Sequence, residues 1–308
     1  MERSVASLLG DHAVSGSTGG MESGTTATGV WGAYQPGIAG SVLLWVSRST
    51  PLGRGAPRKL LYKAFEAINP GPVDTELFGS RVRLHPAHNV SERKALMRPD
   101  RMDPAEHALL GERMARDGAV FVDIGANAGL YSLDAALHGG RGAHILSIDP
   151  NPELLERLAF NLATARADGR VRADVKLTAV PVAISDREGT GVLVGGTDEG
   201  SRSLEGKGSG EAVPLRPLSA LVVEHGLTRI DVMKIDVEGH EDKVLPPFLA
   251  TAAPELRPDL IIIEHLARGS WAIDCIADAE ARGYGIRFRT SNNTVLERPV
   301  PGSRSRPI

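Results

Sequence analysis

The sequence predicts an α/β protein: a mostly parallel sheet, helices on both faces, right-handed crossovers. Two observations carry this reading. Short apolar runs rich in β-branched residues, at 119–122, 143–148 and 260–263, have the length and content of strands buried on both faces. They alternate with stretches of helical period, such as Leu154, Leu155, Leu158 and Leu162. The 308 residues allow one large domain with an extension, or two domains.

Composition bounds the function. With 42% hydrophobic and 24% charged residues the chain can bury a sizeable core. A net charge of −3 and a pI near 6.3 give no overall electrostatic case for nucleic acid or an anionic membrane. The single cysteine, Cys275, excludes an internal disulfide and a thiolate metal cluster. It reads as a small hydrophobe inside a helix and fits a reducing cytoplasm.

In chain order, residues 1–40 are rich in Gly, Ser, Thr and Ala and are expected to form a flexible lead. Residues 38–46 are apolar but too short to span a bilayer, and a long polar lead argues against a signal peptide. A short core or interfacial helix is expected there. Pro51, Gly53, Gly55 and Pro57 read as a linker, and 59–68 as a short helix stopped by Asn69-Pro-Gly-Pro72. Residues 1–72 thus form a flexible, partly helical extension, 73–300 the main domain and 301–308 a tail.

Within the main domain, 78–84 alternates like a strand leading into a loop, and Asp103-Pro104 reads as an N-cap with Pro in the first helical turn. Residues 152–167 form a sheet-covering helix, 175–184 a strand despite Pro181, and 190–194 the start of another. The Gly/Ser/charged run 195–210 is long enough for a lid or a substrate-facing insertion. A helix over 219–225, a strand over 229–236, helices near His240 and over 271–282, and a closing hairpin over 284–295 complete the alternation.

Chemistry concentrates in two stretches. Val120-Phe-Val-Asp-Ile-Gly-Ala-Asn-Ala-Gly-Leu-Tyr131 feeds a strand into a glycine-bearing turn and a helix start near Leu130. Gly125 and Gly129 let backbone approach a ligand, and free N–H groups of the turn and helix start favour negative charge. The next strand ends in Asp149, about 20 residues beyond, where a carboxylate suits a ribose diol. A dinucleotide loop would carry Gly where Asn127 stands, and an acid at Asp123 would repel a pyrophosphate. The same acid welcomes a cationic amino-acid ligand, so the charge pattern favours S-adenosylmethionine over NAD. An NAD-dependent oxidoreductase and a non-catalytic binding module are the competing readings. In the second stretch, Asp231-Val-Met-Lys-Ile-Asp-Val-Glu-Gly-His-Glu241, Asp236 falls at the carboxyl end of a strand, where ligands sit in doubly wound sheets. Lys234, a charge inside an apolar strand, must pair with a carboxylate or reach the rim.

These stretches, with Ile148-Asp-Pro150 and Ala183-Ile-Ser-Asp186 between them, resemble the FkbM family of S-adenosylmethionine-dependent methyltransferases from about residue 73 to 297. The resemblance implies a Rossmann-like class I methyltransferase fold with a seven-stranded sheet. It implies that Asp123, Gly125, Asn127 and Gly129 hold the methionine end of the cofactor, with Tyr131 nearby. Asp149 would take the ribose, Ser185 and Asp186 would lie by the adenine, and Asp236 would border the sulfonium. Ser219 stands where the family usually has Asp, and Pro246 where Gly is common.

Methyl transfer to a hydroxyl is helped by a base that takes the proton late. His240, at an expected helix start facing the site, is the first candidate because imidazole titrates near neutrality. Glu238 and Glu264, at strand ends on the ligand face, are the rivals. No compact spacing supports a metal. A basic, aromatic-studded face for nucleic acid and an amino-methylating Pro-Pro-aromatic motif after Asp236 are both missing. The expected acceptor is therefore a small-molecule or glycan hydroxyl. The oligomeric state is open, a homodimer included.

Overall fold

The computed structural model describes residues 29–195, 203–205 and 210–299. The expected lead up to residue 28, most of the expected 195–210 loop and the 301–308 tail lie outside them. In chain order the strands are β1 (Val73–Leu77), β2 (Ser80–Leu84), β3 (Val120–Ile124), β4 (His144–Ile148), β5 (Lys176–Val180), β6 (Ala183–Ile184), β7 (Gly189–Val194), β8 (Ser203–Glu205), β9 (Glu211–Arg216), β10 (Val232–Ile235), β11 (Leu260–Glu264), β12 (Gly285–Arg289) and β13 (Asn293–Glu297). The helices are α1 (Ile38–Ser49), α2 (Gly55–Ile68), α3 (Val90–Met97), α4 (Pro104–Met114), α5 (Leu130–His138), α6 (Pro152–Ala167), α7 (Leu218–Glu224), α8 (Leu245–Thr251) and α9 (Cys275–Ala281).

Seven strands form the central sheet in the order β12-β13-β11-β10-β3-β4-β5. The five from β11 to β5 are parallel, while β13 and β12 close the edge antiparallel. The chain leaves β3 towards β4 and β5, then returns to lay β10 on the other side of β3. This reversal puts the carboxyl ends of β3 and β10 side by side, with Ile124 opposite Ile235, at the switch point where open α/β sheets bind ligands.

Alternation along each strand explains two cores. Phe121, Ile145, Val232, Ile262 and Val295 face one cluster, shared with residues of α4, α5 and α6. Val122, Leu146, Met233, Ile261 and Leu296 face the other, shared with α7, α8 and α9. The buried, continuously apolar strands foreseen in the sequence are this arrangement.

Several expected elements differ. The strand expected over 175–184 breaks at Pro181, which has no N–H to give a ladder. Its second half, β6, joins a separate sheet of order β6-β9-β7-β8. Residues 78–84 are half of a hairpin: Phe78 and Gly79, both with positive φ, make the two-residue turn between β1 and β2. Asp103 does not cap α4. Its backbone is left-handed and its carboxylate turns instead to Lys94 and Tyr131. No helix begins at His240, where a 3-10 turn, Glu241–Lys243, precedes α8. Pro246 in the first turn of α8 lacks only an N–H that a helix start leaves unpaired anyway. The helix expected over 271–282 begins at Cys275, where the Asp274 carboxylate accepts from the N–H groups of Ile276 and Ala277.

The expected linker near residue 55 is also helical structure. Pro51–Gly53 is a 3-10 turn and α2 opens at Gly55. A Cβ on Gly53 would lie 1.7 Å from the Ser47 carbonyl oxygen, so only glycine permits the tight return from α1 to α2. The α1–α2 hairpin is bound to α3 and the turn after it. Ser47 Oγ donates to Met97 O at 3.0 Å, Arg48 Nη2 to Leu96 O at 2.8 Å, and Arg98 Nη1 to Gly53 O at 3.0 Å. Upstream, the buried Asp74–Arg83 pair holds the segment before α1: Asp74 accepts from the Gly32 and Tyr34 N–H groups, and Arg83 donates to the Gly29 and Val30 carbonyls.

Candidate active site

The loop after β3 is shaped by contacts that permit few alternatives. Gly125 has φ of +74°, and a Cβ there would lie 1.8 Å from the Asp236 carbonyl oxygen. Glycine is what lets the tips of β3 and β10 meet. Asn127 is also left-handed, a conformation Asn tolerates because its short side chain bonds locally. Its Oδ1 accepts from Ala128 N–H at 2.6 Å and from the Asn89 amide. Gly129, with φ of +73°, opens α5, and a Cβ there would meet Leu158 of α6 at 2.6 Å. Gly129 therefore serves helix packing and does not line the cavity.

The loop's own N–H groups are already engaged. Those of Gly125 and Ala126 donate to Ile148 O, that of Asn127 to Asp149, that of Ala128 to Asn127 and that of Gly129 to Ala126 O. The expectation that turn N–H groups hold an anion thus moves to the first turn of α5, where Leu130 and Tyr131 have no intrahelical acceptor and border the cavity.

This loop walls a cavity of about 360 Å³, within the range of small-molecule sites. Of the residues singled out from sequence, Gly125, Asn127, Tyr131, Asp149, Asp236, Glu238, His240 and Glu264 border it. Asp149, at the tip of β4, accepts from Asn127 N–H at 2.8 Å and from Asn151 N–H at 2.9 Å. Burial pushes its carboxyl up to about 6, against the pull of those two donors.

Asp123 lies beneath the cavity floor, not in its wall. Ser132 Oγ donates to it at 2.6 Å, and its other oxygen has no partner among the described residues. Burial raises its carboxyl, with Lys234 opposing. Ser185 is buried behind His240, its Oγ 3.2 Å from Nε2, and Asp186 is exposed beside Arg187. Neither lines the cavity.

At the β10 tip, Lys234 Nζ donates to Asp236 Oδ2 at 2.8 Å and stands 4.9 Å from the centre of the Tyr131 ring. Burial alone would depress this ammonium, but Asp236, Asp123 and Glu264 outweigh it and hold it above its ordinary value. Glu264 ends β11 in the same group. Burial, then Asp236 and Glu238, push its carboxyl up to about 8. Burial lowers the His240 imidazole. Glu238 occupies a left-handed turn position. Among the described residues no cluster of His, Cys, Asp or Glu could hold a metal.

Lys94, Asp103, Lys234 and Asn293 also border the cavity. Lys234 was visible as a misplaced charge. The others sit in stretches of ordinary composition, and only the fold brings them here.

Residues 123–275 match the family described as Methyltransferase FkbM domain. The chain belongs to the FkbM methyltransferases. The match runs from the loop acid in β3 to the start of α9, taking in Asp149, Asp186, Asp236 and Glu264, and the oxidoreductase reading falls with it. No curated protein matches the chain. Among solved structures, it is similar to magnesium protoporphyrin IX methyltransferase from Synechocystis PCC 6803 with bound SAM (13% identity, 68% of this chain and 83% of that one, TM-score 0.39). It is also similar to an O-methyltransferase from Bacillus cereus in complex with SAH (12% identity, 63% and 80%, TM-score 0.38). A third is the Pyrococcus abyssi tRNA (uracil-54, C5)-methyltransferase (13% identity, 73% and 43%, TM-score 0.36).

Proposed function

We propose that this FkbM methyltransferase moves the methyl group of S-adenosylmethionine onto a hydroxyl of a sugar, glycan or secondary metabolite. The observation that carries the hydroxyl assignment is Glu264, a carboxyl raised to about 8 at a strand tip in the cavity wall. A neutral amine attacks a methyl sulfonium with its own lone pair, whereas a hydroxyl gains from a base that takes its proton during transfer and whose pKa lies near the working pH. Among the described residues the cavity wall has Tyr131 as its one Phe, Tyr or Trp and two lysines among acids, which favours a small polar acceptor over stacked bases.

The residues fit the cofactor. S-adenosylmethionine, when bound, supplies an electrophilic methyl on a sulfonium. Asp149 keeps lone pairs on both oxygens to accept from ribose hydroxyls, and the free N–H groups at Leu130 and Tyr131 suit the amino-acid carboxylate. Asp123 and Asp236 add negative charge below and beside the loop, which favours the ligand's cationic groups. Glu264 takes the acceptor proton. Glu238 and His240 bind the acceptor's other hydroxyls, with His240 neutral and held by Ser185.

Calorimetric titration with S-adenosylmethionine, S-adenosylhomocysteine and NAD, followed by transfer of labelled methyl to panels of hydroxyl and amine acceptors, tests this. Binding of the first two and label in an ether product is expected. Label confined to amines or to RNA would sink the hydroxyl assignment.

A further inference from the structure

We propose that the α1–α2 hairpin is a docking face for an anionic lipid bilayer, on which the chain rests without crossing it. Among the described residues, seven of the eleven exposed large apolar side chains fall between 30 and 68: Val30, Ile38, Val42, Trp45, Leu52, Leu60 and Ile68. Ile38, Val42 and Trp45, with relative exposures of 87%, 53% and 63%, recur at helical spacing and form one outward stripe of α1. Soluble surfaces scatter such side chains singly, and the concentration of six of these seven on one hairpin marks an interaction site.

Charge selects the occupant. Residues 29–72 carry five cations and a single acid, Glu66, although the whole chain is at −3. Arg48 is turned inwards to Leu96 O, but Arg54, Arg58, Lys59 and Lys63 are exposed and pair with no acid among the described residues. Exposed aliphatics and a Trp flanked by basic residues are what an interfacial helix presents to anionic headgroups. A nucleic acid would match the cations and leave the aliphatic stripe unused. Among the described residues no helix is long and apolar enough to cross a membrane, so seating on the surface is the mode they allow. The hairpin is bonded to α3, and α3 lines the cavity with Val90, Ser91 and Lys94, so docking would bring the cavity to a lipid surface.

Sedimentation of the full chain with phosphatidylcholine vesicles, with and without phosphatidylglycerol, tests the proposal. Binding to the anionic vesicles, released by salt, is expected. Arg58→Gln with Lys59→Gln should weaken partitioning about thirtyfold, at about fivefold per cation. Val42→Ser with Trp45→Ser should abolish the binding that survives in salt. S-adenosylhomocysteine binding should be unchanged in both variants, which shows that they fold. Four results would overturn the proposal: failure to bind either vesicle, as when residues 1–28 cover the face; equal binding by the variants; a dimer abolished by Val42→Ser and Trp45→Ser; or retention on RNA alone.

Discussion

Lys234 Nζ bonds Asp236 Oδ2 at 2.8 Å from two places back along the chain, so an acid in the cavity wall takes its counter-ion from the strand that leads to it. The lysine is 6% exposed and the aspartate 33%, so the pair is buried on the lysine side and open to the cavity on the other.

Lys234→Met should therefore cost about 3 kcal/mol of stability, because Asp123 and Asp236 lose the cation that offsets them. Since Lys234 also holds Glu264 down, the pH at which activity rises should move upward. A denaturant midpoint and a pH–rate profile read the two effects. An unchanged profile would remove Lys234 from the electrostatics of the site.

Gly125→Ala places a methyl against the Asp236 carbonyl at a positive φ. The tips of β3 and β10 must then part. Loss of S-adenosylhomocysteine binding is expected together with a destabilisation of about 2 kcal/mol or more. Wild-type affinity in the variant would show that the close approach is not needed for the cradle.

Asp149 should give affinity and stability opposite pH dependences. Its carboxyl is raised to about 6, so its ionisation opposes folding: its contribution is complete below its ordinary value near 3.8 and is lost as pH rises through about 6. Hydrogen bonds from a ribose need the ionised form, so affinity for S-adenosylhomocysteine should weaken as pH falls below about 6. Asp149→Asn should bind more weakly and lose this dependence. A variant titration curve that still bends there would assign it to another group.

Glu264→Gln should lower kcat by about 10²–10⁴-fold and leave cofactor affinity within a few fold, with activity in the wild type rising as pH passes about 8. His240→Ala should raise the acceptor KM more than it lowers kcat. The reverse pattern would transfer the base to His240.

The middle of the central sheet could be read from sequence because β3, β4, β10 and β11 are almost wholly buried on both faces, and a continuous apolar run shows wherever the strand pairs. Asp149 and Asp236 were readable because each ends an apolar run, and each falls just past the last residue of its strand. The small sheet was harder to see. β6 is two residues long and its neighbours are polar on one side, so its pairing is set by tertiary contacts. Asp103 misled because an N-cap signature describes local bonding, and the stronger partners, Lys94 and Tyr131, come from other helices. Ser185 and Asp186 follow β6 on the polypeptide, yet the side chain of one turns behind His240 and that of the other to solvent. Direction of that kind has no sequence signal.

The pairing of Val122 with Met233 has a consequence for how the molecule is made. About 110 residues must close before the central strand pair forms, a loop long enough to make folding slow. On the ribosome, β3, β4 and β5 emerge first and can pair, but β3 then presents a bare edge until β10 arrives. The Gly125 turn has no Asp236 to rest against in that interval. The cavity, which draws its wall from the loop after β3 and from the tips of β10 and β11, is therefore complete only once that gap has closed.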